Sequence, residues 1–115
     1  MKTIYIAAPY TQGDTAWNVR RAIDLEEYLF NKGYHVFNPL LTHFVHMIHA
    51  RPYEFWLKED LYWLEKCDAI VRIQGPSNGA DREVVAATHL GMPVGEFTGF
   101  SAAGLNALDD WLSKL

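Results

Sequence analysis

The chain has 115 residues, half of them hydrophobic and 14% aromatic, which suits one folded domain with its own core and excludes a disordered chain. A net charge of -4, spread over both signs, disfavours a polymeric nucleic acid as the partner. The single cysteine excludes an internal disulfide, and no segment has the length of a membrane span. We therefore expect one domain over residues 1–115, located in the cytoplasm and without a membrane partner.

The first third of the chain alternates between strand-like and helix-like patterns. Thr3–Ala7 is rich in β-favouring residues and predicts a strand. Asp14 or Thr15 caps a predicted helix whose apolar residues recur at helical spacing until Gly33 ends it. Tyr34–Asn38 then predicts a second strand.

The rest of the chain continues this alternation after one ambiguous segment. Residues 40–51 are apolar and rich in histidine but follow neither the helical nor the strand period, so their structure is not predicted. The later segments, in chain order, are a helix over Pro52–Lys66, a strand over Ala69–Ile73, a helix over Asn78–Leu90, a weaker strand over Pro93–Phe97 and a helix over Leu105–Leu115.

Strands that alternate with helices predict a parallel sheet covered on both faces, with right-handed crossovers. In such a sheet the loops that leave the carboxyl ends of the strands converge, and ligands bind there. Three predicted loops meet at this edge: 8–13, 39–50 and 74–79.

Two carboxylates fall on helix faces that otherwise point toward the core. Glu83 heads an apolar stripe on the third predicted helix, and Asp60 interrupts the apolar face of the second. Paired carboxylates in unlike environments are what glycosidic bond cleavage needs. The alternative is structural, with Asp60 paired to a nearby lysine or arginine and Glu83 paired to Arg72 or Arg82.

Tyr5 and the turn before Glu83 supply the other candidate groups. Alternation places Tyr5 on the strand face opposite to that of Ile4, where its hydroxyl can orient a carboxylate; alternatively, it is a core tyrosine with a satisfied hydroxyl. Ser77 and Gly79 favour a helix cap and a tight turn whatever the function. Their binding role depends on the position of this turn at the ligand edge.

Three histidines, His43, His46 and His49, recur at intervals of three in the ambiguous segment. Zinc sites prefer other spacings and usually add a carboxylate or a thiolate, so we expect neither a metal nor another cofactor. A loop that lines a polar cleft is the favoured interpretation, with His43 as a substrate-binding residue.

The order of these motifs resembles the nucleoside 2-deoxyribosyltransferase-like superfamily. The resemblance extends over residues 3–97 and rests on Ile4–Tyr10, on Asp60–Leu61 with Leu64, on Cys67–Val71, and on the spacing Ser77-x-Gly79-x-x-x-Glu83. It implies a doubly wound, flavodoxin-like α/β fold, with a parallel sheet of four to five strands and helices on both faces. It also implies chemistry at an N-glycosidic bond.

Carried over position by position, the resemblance implies a role for each motif residue. Glu83 would be the nucleophile that captures the anomeric carbon of the sugar, Asp60 would hold or protonate the base, and Tyr5 would orient Glu83 or the sugar. The implied substrate contacts from the first loop and from the turn are Ala8, Pro9, Tyr10, Ser77, Asn78 and Gly79. Family members build active sites across subunits, so a homodimer or a larger homo-oligomer is implied.

The predicted function is hydrolysis or transfer at the N-glycosidic bond of a (deoxy)nucleoside or a nucleoside 5'-monophosphate. Members that cleave monophosphates carry a serine and an arginine where this chain has Ala8, Pro9 and Tyr10, which favours the nucleoside transferases. No residue decides between hydrolase and transferase, because they differ in whether water or a second base intercepts the sugar–enzyme intermediate. The alternatives are a non-catalytic nucleotide- or nucleotide-sugar-binding module and a small interaction domain.

Overall fold

The computed structural model describes residues 2–115, in which parallel strands alternate with helices. In chain order the elements are β1 (Thr3–Ala7), α1 (Thr15–Asn31), β2 (His35–Phe37), a 3-10 turn (Pro39–Thr42), α2 (His43–Ile48), α3 (Tyr53–Leu64), β3 (Ala69–Ile73), α4 (Asn78–His89), β4 (Val94–Phe97) and α5 (Ala102–Ser113). Among these residues, no helix combines the length and the apolar character that a membrane crossing needs.

The four strands form one parallel sheet in the order β2-β1-β3-β4. Tyr5 of β1 lies between Phe37 of β2 and Ile70 of β3, which fixes the register at the centre of the sheet. The core packs on both faces: α1 and α5 cover the side of Ile4 and Ile6, and α3 and α4 cover the side of Tyr5. The predicted doubly wound, flavodoxin-like α/β fold is therefore confirmed.

Local signals set most of the helix ends. Gly33 and Gly91 follow α1 and α4 with φ angles of 94° and 71°, a left-handed conformation that only glycine adopts without strain. The last helix was predicted to begin at Leu105, but it begins at Ala102. The earlier start is set by the Ser101 hydroxyl, which accepts a backbone hydrogen bond from the first turn of the helix. The boundaries thus follow capping chemistry more closely than the apolar pattern.

The histidine-rich segment folds into the 3-10 turn and α2. Although α2 is mostly apolar, none of its residues is buried, so no core face imposes a period on its sequence. Two hydrogen bonds fix the position of α2. The Tyr10 hydroxyl in the first loop meets Nδ1 of His43, and the Trp56 indole on α3 donates to Nδ1 of His46. These contacts join distant positions, which is why no local pattern predicted this helix.

The contact between β4 and α5 makes a first testable prediction. A Cβ added to Gly95 would lie 2.6 Å from a ring atom of Trp111, and a packed indole cannot move away easily. Gly95→Ala is therefore expected to lower the free energy of unfolding by about 1–3 kcal/mol, measured by urea unfolding. The control is Asn106→Ala on the exposed side of α5, which should change it by less than about 0.5 kcal/mol. Equal stability of the two variants would contradict this packing.

Candidate active site

The carboxyl edge of the sheet opens into a cavity of about 890 Å³. The loops after β1, β2 and β3 line it together with α3 and α4. The lining residues are Tyr10, Thr11, Gln12, Pro39, Leu40, Thr42, His46, Arg51, Tyr53, Trp56, Leu57, Asp60, Ser77, Asn78, Gly79, Asp81, Arg82 and Glu83. A doubly wound sheet is expected to bind its ligand at this edge, and the cavity has the size of a small-molecule site.

Glu83 is buried on α4, with 5% of its surface exposed. The Tyr5 hydroxyl donates a hydrogen bond of 2.5 Å to its Oε2 atom. Tyr5 is itself fully buried on β1 and stacks on Phe37 with the ring centroids 5.6 Å apart, so its phenol has a fixed position. Burial raises the pKa of Tyr5 well above its ordinary value, which keeps the phenol a donor. One carboxylate oxygen of Glu83 is thus held in place by a rigid partner.

Asp60, on α3, lines the same cavity as Glu83. Its Oδ1 atom is shielded from solvent and has no hydrogen-bond partner among residues 2–115. A buried carboxylate oxygen without a partner is costly, because it has lost its water and gained nothing in return. The neighbouring Glu83 carboxyl, whose hydrogen bond lowers the pKa of Asp60, can meet Asp60 when one of the two groups is protonated.

Glu83 and Asp60 titrate as a pair. Burial raises the pKa of Glu83 to about 8 and that of Asp60 to about 7. The hydrogen bond from Tyr5 favours the charged form of Glu83 and opposes this rise, whereas the nearby charge of Asp60 adds to it. Since the two carboxyl groups do not both ionise easily, the pair keeps a proton near neutral pH. The pair therefore holds one charge and one proton together near neutral pH.

The structural alternative, in which arginines neutralise the two carboxylates, is wrong. Arg82 pairs with Glu54 at 3.0 Å, and Arg72 pairs with Asp81 at 3.0 Å. Among the residues that the structure describes, neither Glu83 nor Asp60 takes part in a salt bridge. Both therefore stay available for chemistry in the cavity.

The raised pKa values predict an unusual dependence of stability on pH. In the unfolded chain Glu83 and Asp60 have ordinary pKa values near 4, so from about pH 5 to about pH 8 the folded chain binds more protons than the unfolded one. The free energy of unfolding is expected to fall across this window, by an amount on the order of a few kcal/mol, and Glu83→Gln should flatten the fall. Urea unfolding at a series of pH values measures it.

The control for this stability series is Glu27→Gln, which changes an exposed carboxylate of α1. It should keep the pH dependence of the parent chain, because it leaves the buried pair of Glu83 and Asp60 unchanged. If Glu83→Gln and Glu27→Gln have the same pH dependence, burial does not raise the pKa of Glu83.

The N-cap and the first turn of α4 present Ser77, Asn78 and Gly79 to the cavity. The Ser77 hydroxyl accepts a backbone hydrogen bond of 3.1 Å and caps the helix, as its sequence position predicts. The Gln12 side chain accepts a hydrogen bond of 3.1 Å from the backbone N–H of Asn78. This bond joins the first loop to the beginning of α4. A Cβ on Gly79 would lie 3.4 Å from the Tyr53 hydroxyl, so this part of the wall is closely packed.

The first loop places only one of its three predicted contact residues in the cavity wall. Tyr10 lines the cavity, whereas Ala8 and Pro9 are buried and are not among the lining residues. Pro9 packs instead beside Gly75. A Cβ atom placed on Gly75 would lie 3.0 Å from the proline ring. His43 is not a lining residue either, and it touches the site through its hydrogen bond with Tyr10.

Sequence reasoning missed one wall of the cavity, formed by His46, Arg51 and Trp56. The Trp56 indole donates a hydrogen bond of 2.9 Å to His46 Nδ1, and the Arg51 guanidinium lies 5.8 Å from the indole centroid. Trp56 precedes Asp60 by four residues on one helix face, so the helical period gave a signal for it. His46 belongs to the histidine segment that was expected to line a polar cleft, although only His43 was predicted as a substrate contact. In residues 2–115, no cluster of three or more His, Cys, Asp or Glu side chains could hold a metal ion.

Comparison with known proteins supplies the family and the fold. Residues 2–97 match a family model described as "Domain of unknown function (DUF7768)". No curated protein matches the chain. Its fold is similar to a solved structure of the 2-deoxyribosyltransferase from the psychrotolerant bacterium Bacillus psychrosaccharolyticus, with a TM-score of 0.66 and 23% identity over 97% of this chain and 89% of that chain. At this identity the likeness supports the flavodoxin-like fold.

Proposed function

This chain belongs to the family described as domain of unknown function DUF7768, and we propose that it breaks or exchanges the N-glycosidic bond of a (deoxy)nucleoside or a nucleoside 5'-monophosphate. One observation carries the proposal: two neighbouring carboxyl groups, Asp60 and a buried Glu83 that is fixed by Tyr5, line one cavity and take part in no salt bridge among the described residues. The motif order and the fold shared with a 2-deoxyribosyltransferase support membership of the nucleoside 2-deoxyribosyltransferase-like superfamily.

In the first step, an oxygen of Glu83 forms a bond to C1' of the sugar while the bond from C1' to the base nitrogen breaks. The electron pair of the broken bond stays on the base, which takes the proton of the carboxyl pair from Asp60. The developing positive charge on the sugar ring lies against Glu83, which stabilises it electrostatically. The Tyr5 hydroxyl holds Glu83 in place and favours its charged form. Because the pKa of Glu83, about 8, lies above that of Asp60, about 7, the shared proton passes from Glu83 to Asp60 before the attack in this scheme.

In the second step, water or the nitrogen of another base attacks C1' from the face that the first base left. The bond between Glu83 and C1' breaks, and the proton of the attacking group returns to Asp60, so the pair recovers its starting charge. Two displacements at one carbon retain the configuration of the sugar. Hydrolysis and exchange share every protein group in this scheme and differ only in the attacking molecule.

The experiment that tests the proposal supplies matched nucleosides and nucleoside 5'-monophosphates, with ribose and deoxyribose sugars, and follows the free base by chromatography. A second base added in excess reveals exchange as a new nucleoside. Base release or exchange with one of these substrates is the expected result. Ligand-induced thermal stabilisation without any product would instead indicate a binding module.

A further inference from the structure

His46 is the cavity residue whose hydrogen-bond chemistry the scheme above does not use. Its Nδ1 atom accepts two hydrogen bonds, one from the Trp56 indole at 2.9 Å and one from the Arg51 backbone N–H at 3.3 Å. A nitrogen that accepts two N–H groups carries no proton, so the proton of this imidazole lies on Nε2. The two hydrogen bonds therefore fix the tautomer of His46, a residue of the cavity wall, and leave Nε2–H as its remaining donor.

His46 and Asp60 line the same cavity, with Trp56 beside both. Trp56 and Asp60 are four residues apart on one face of α3, a rise of about 6 Å. The rings of His46 and Trp56 meet edge to face, with their centroids 6.1 Å apart. In a cavity of about 890 Å³, a molecule that receives a proton from Asp60 at one edge can therefore present another edge to His46.

We propose that His46 is a specificity-determining residue that donates a hydrogen bond to an oxo group on the base edge remote from the glycosidic nitrogen. The inference rests on the proposed function, since it takes the base as the group next to Asp60. An amino group at the same position is itself a donor and leaves the Nε2–H without a partner. The site therefore favours 6-oxopurines over 6-aminopurines, and 4-oxopyrimidines over 4-aminopyrimidines, by about tenfold.

The test measures two quantities on the same proteins: the dissociation constants of free hypoxanthine and adenine by calorimetry, and kcat/KM for base release from deoxyinosine and deoxyadenosine. The parent chain is expected to favour the oxo member of each pair about tenfold. His46→Ala should bring the ratio close to one, mainly by weakening the oxo ligand. His46→Gln, which keeps a donor and an acceptor, should recover binding of the oxo ligand in part.

Trp56→Phe separates this role from simple packing. It removes the shorter of the two hydrogen bonds that hold the proton on Nε2 and leaves only the one from the Arg51 backbone N–H at 3.3 Å. His46 then presents an acceptor more readily, so the amino ligand should gain relative to the oxo ligand although His46 is still present. The control is His49→Ala, an exposed histidine just after α2 that does not line the cavity, and it should leave the ratio unchanged.

The results distinguish this inference from the proposed function. A binding preference for hypoxanthine that His46→Ala removes supports the role of His46, even if no substrate releases a base. A parent chain that releases base, but whose oxo-to-amino ratio is the same in His46→Ala, overturns the role of His46 and leaves the proposed function standing. A chain that binds neither base overturns the inference as well.

Discussion

Glu83→Gln is expected to reduce the rate of base release by at least about 10⁴-fold, the scale seen when a nucleophile is removed from a catalytic unit. Glutamine keeps the shape of the side chain and can still accept the Tyr5 hydrogen bond, so the cavity should remain formed. It cannot form the bond to C1', because an amide oxygen is a far weaker nucleophile than a carboxylate. Single-turnover assays with the best substrate from the nucleoside panel measure the loss.

The same variant provides a covalent test. Intact-protein mass spectrometry of the parent chain mixed with a deoxynucleoside should reveal a sugar adduct on the peptide that contains Glu83, and Glu83→Gln should lack it. Glu96→Gln, which changes an exposed carboxylate on β4, is the matched control and should keep both adduct and activity. An adduct on another residue, or base release undiminished in Glu83→Gln, contradicts the assignment of the nucleophile.

The sequence predicted what depends on near neighbours in the chain. The bounds of β1 and β3, the glycine ends of α1 and α4 and the cap at Ser77 follow from residues within one turn of each other. The inward face of α4 was predicted for the same reason. Leu90 falls on this face by the helical period, but it is exposed because α4 ends at His89.

The rest depended on contacts between distant residues. The hydrogen bond between Tyr5 and Glu83 spans 78 positions, and only the fold reveals that the two side chains meet. Ala8 and Pro9 continue a predicted strand into a loop, and no local pattern shows how deeply that loop is buried. The position of His46 in the cavity wall depends in the same way on its hydrogen bond with Trp56. The candidate chemistry was therefore readable from the sequence, whereas the walls of the cavity were not.

The second large effect is expected from Asp60→Asn, which removes the proton donor of the proposed first step. The rate of base release should fall by about 10²- to 10⁴-fold for a base that leaves poorly without protonation. For a base that is already a good leaving group, such as one with an electron-withdrawing substituent, the rate of release should fall much less. This contrast separates proton donation from a collapse of the cavity, which would slow both substrates alike. Glu27→Gln, at an exposed position of α1, is the control and should slow neither.

The pH profile gives Asp60→Asn a second signature. In the parent chain the proton of the pair is lost as the pH rises past the raised pKa values of Asp60 and Glu83, about 7 and about 8, so kcat/KM for a poor leaving group should fall on the alkaline side. Asp60→Asn has no donor to lose, so its lower rate should show no alkaline fall and should instead rise as Glu83 ionises. Profiles from pH 5 to pH 9.5 measure the difference. An alkaline fall that persists unchanged in Asp60→Asn would show that the essential proton lies on another group, because the amide cannot release one.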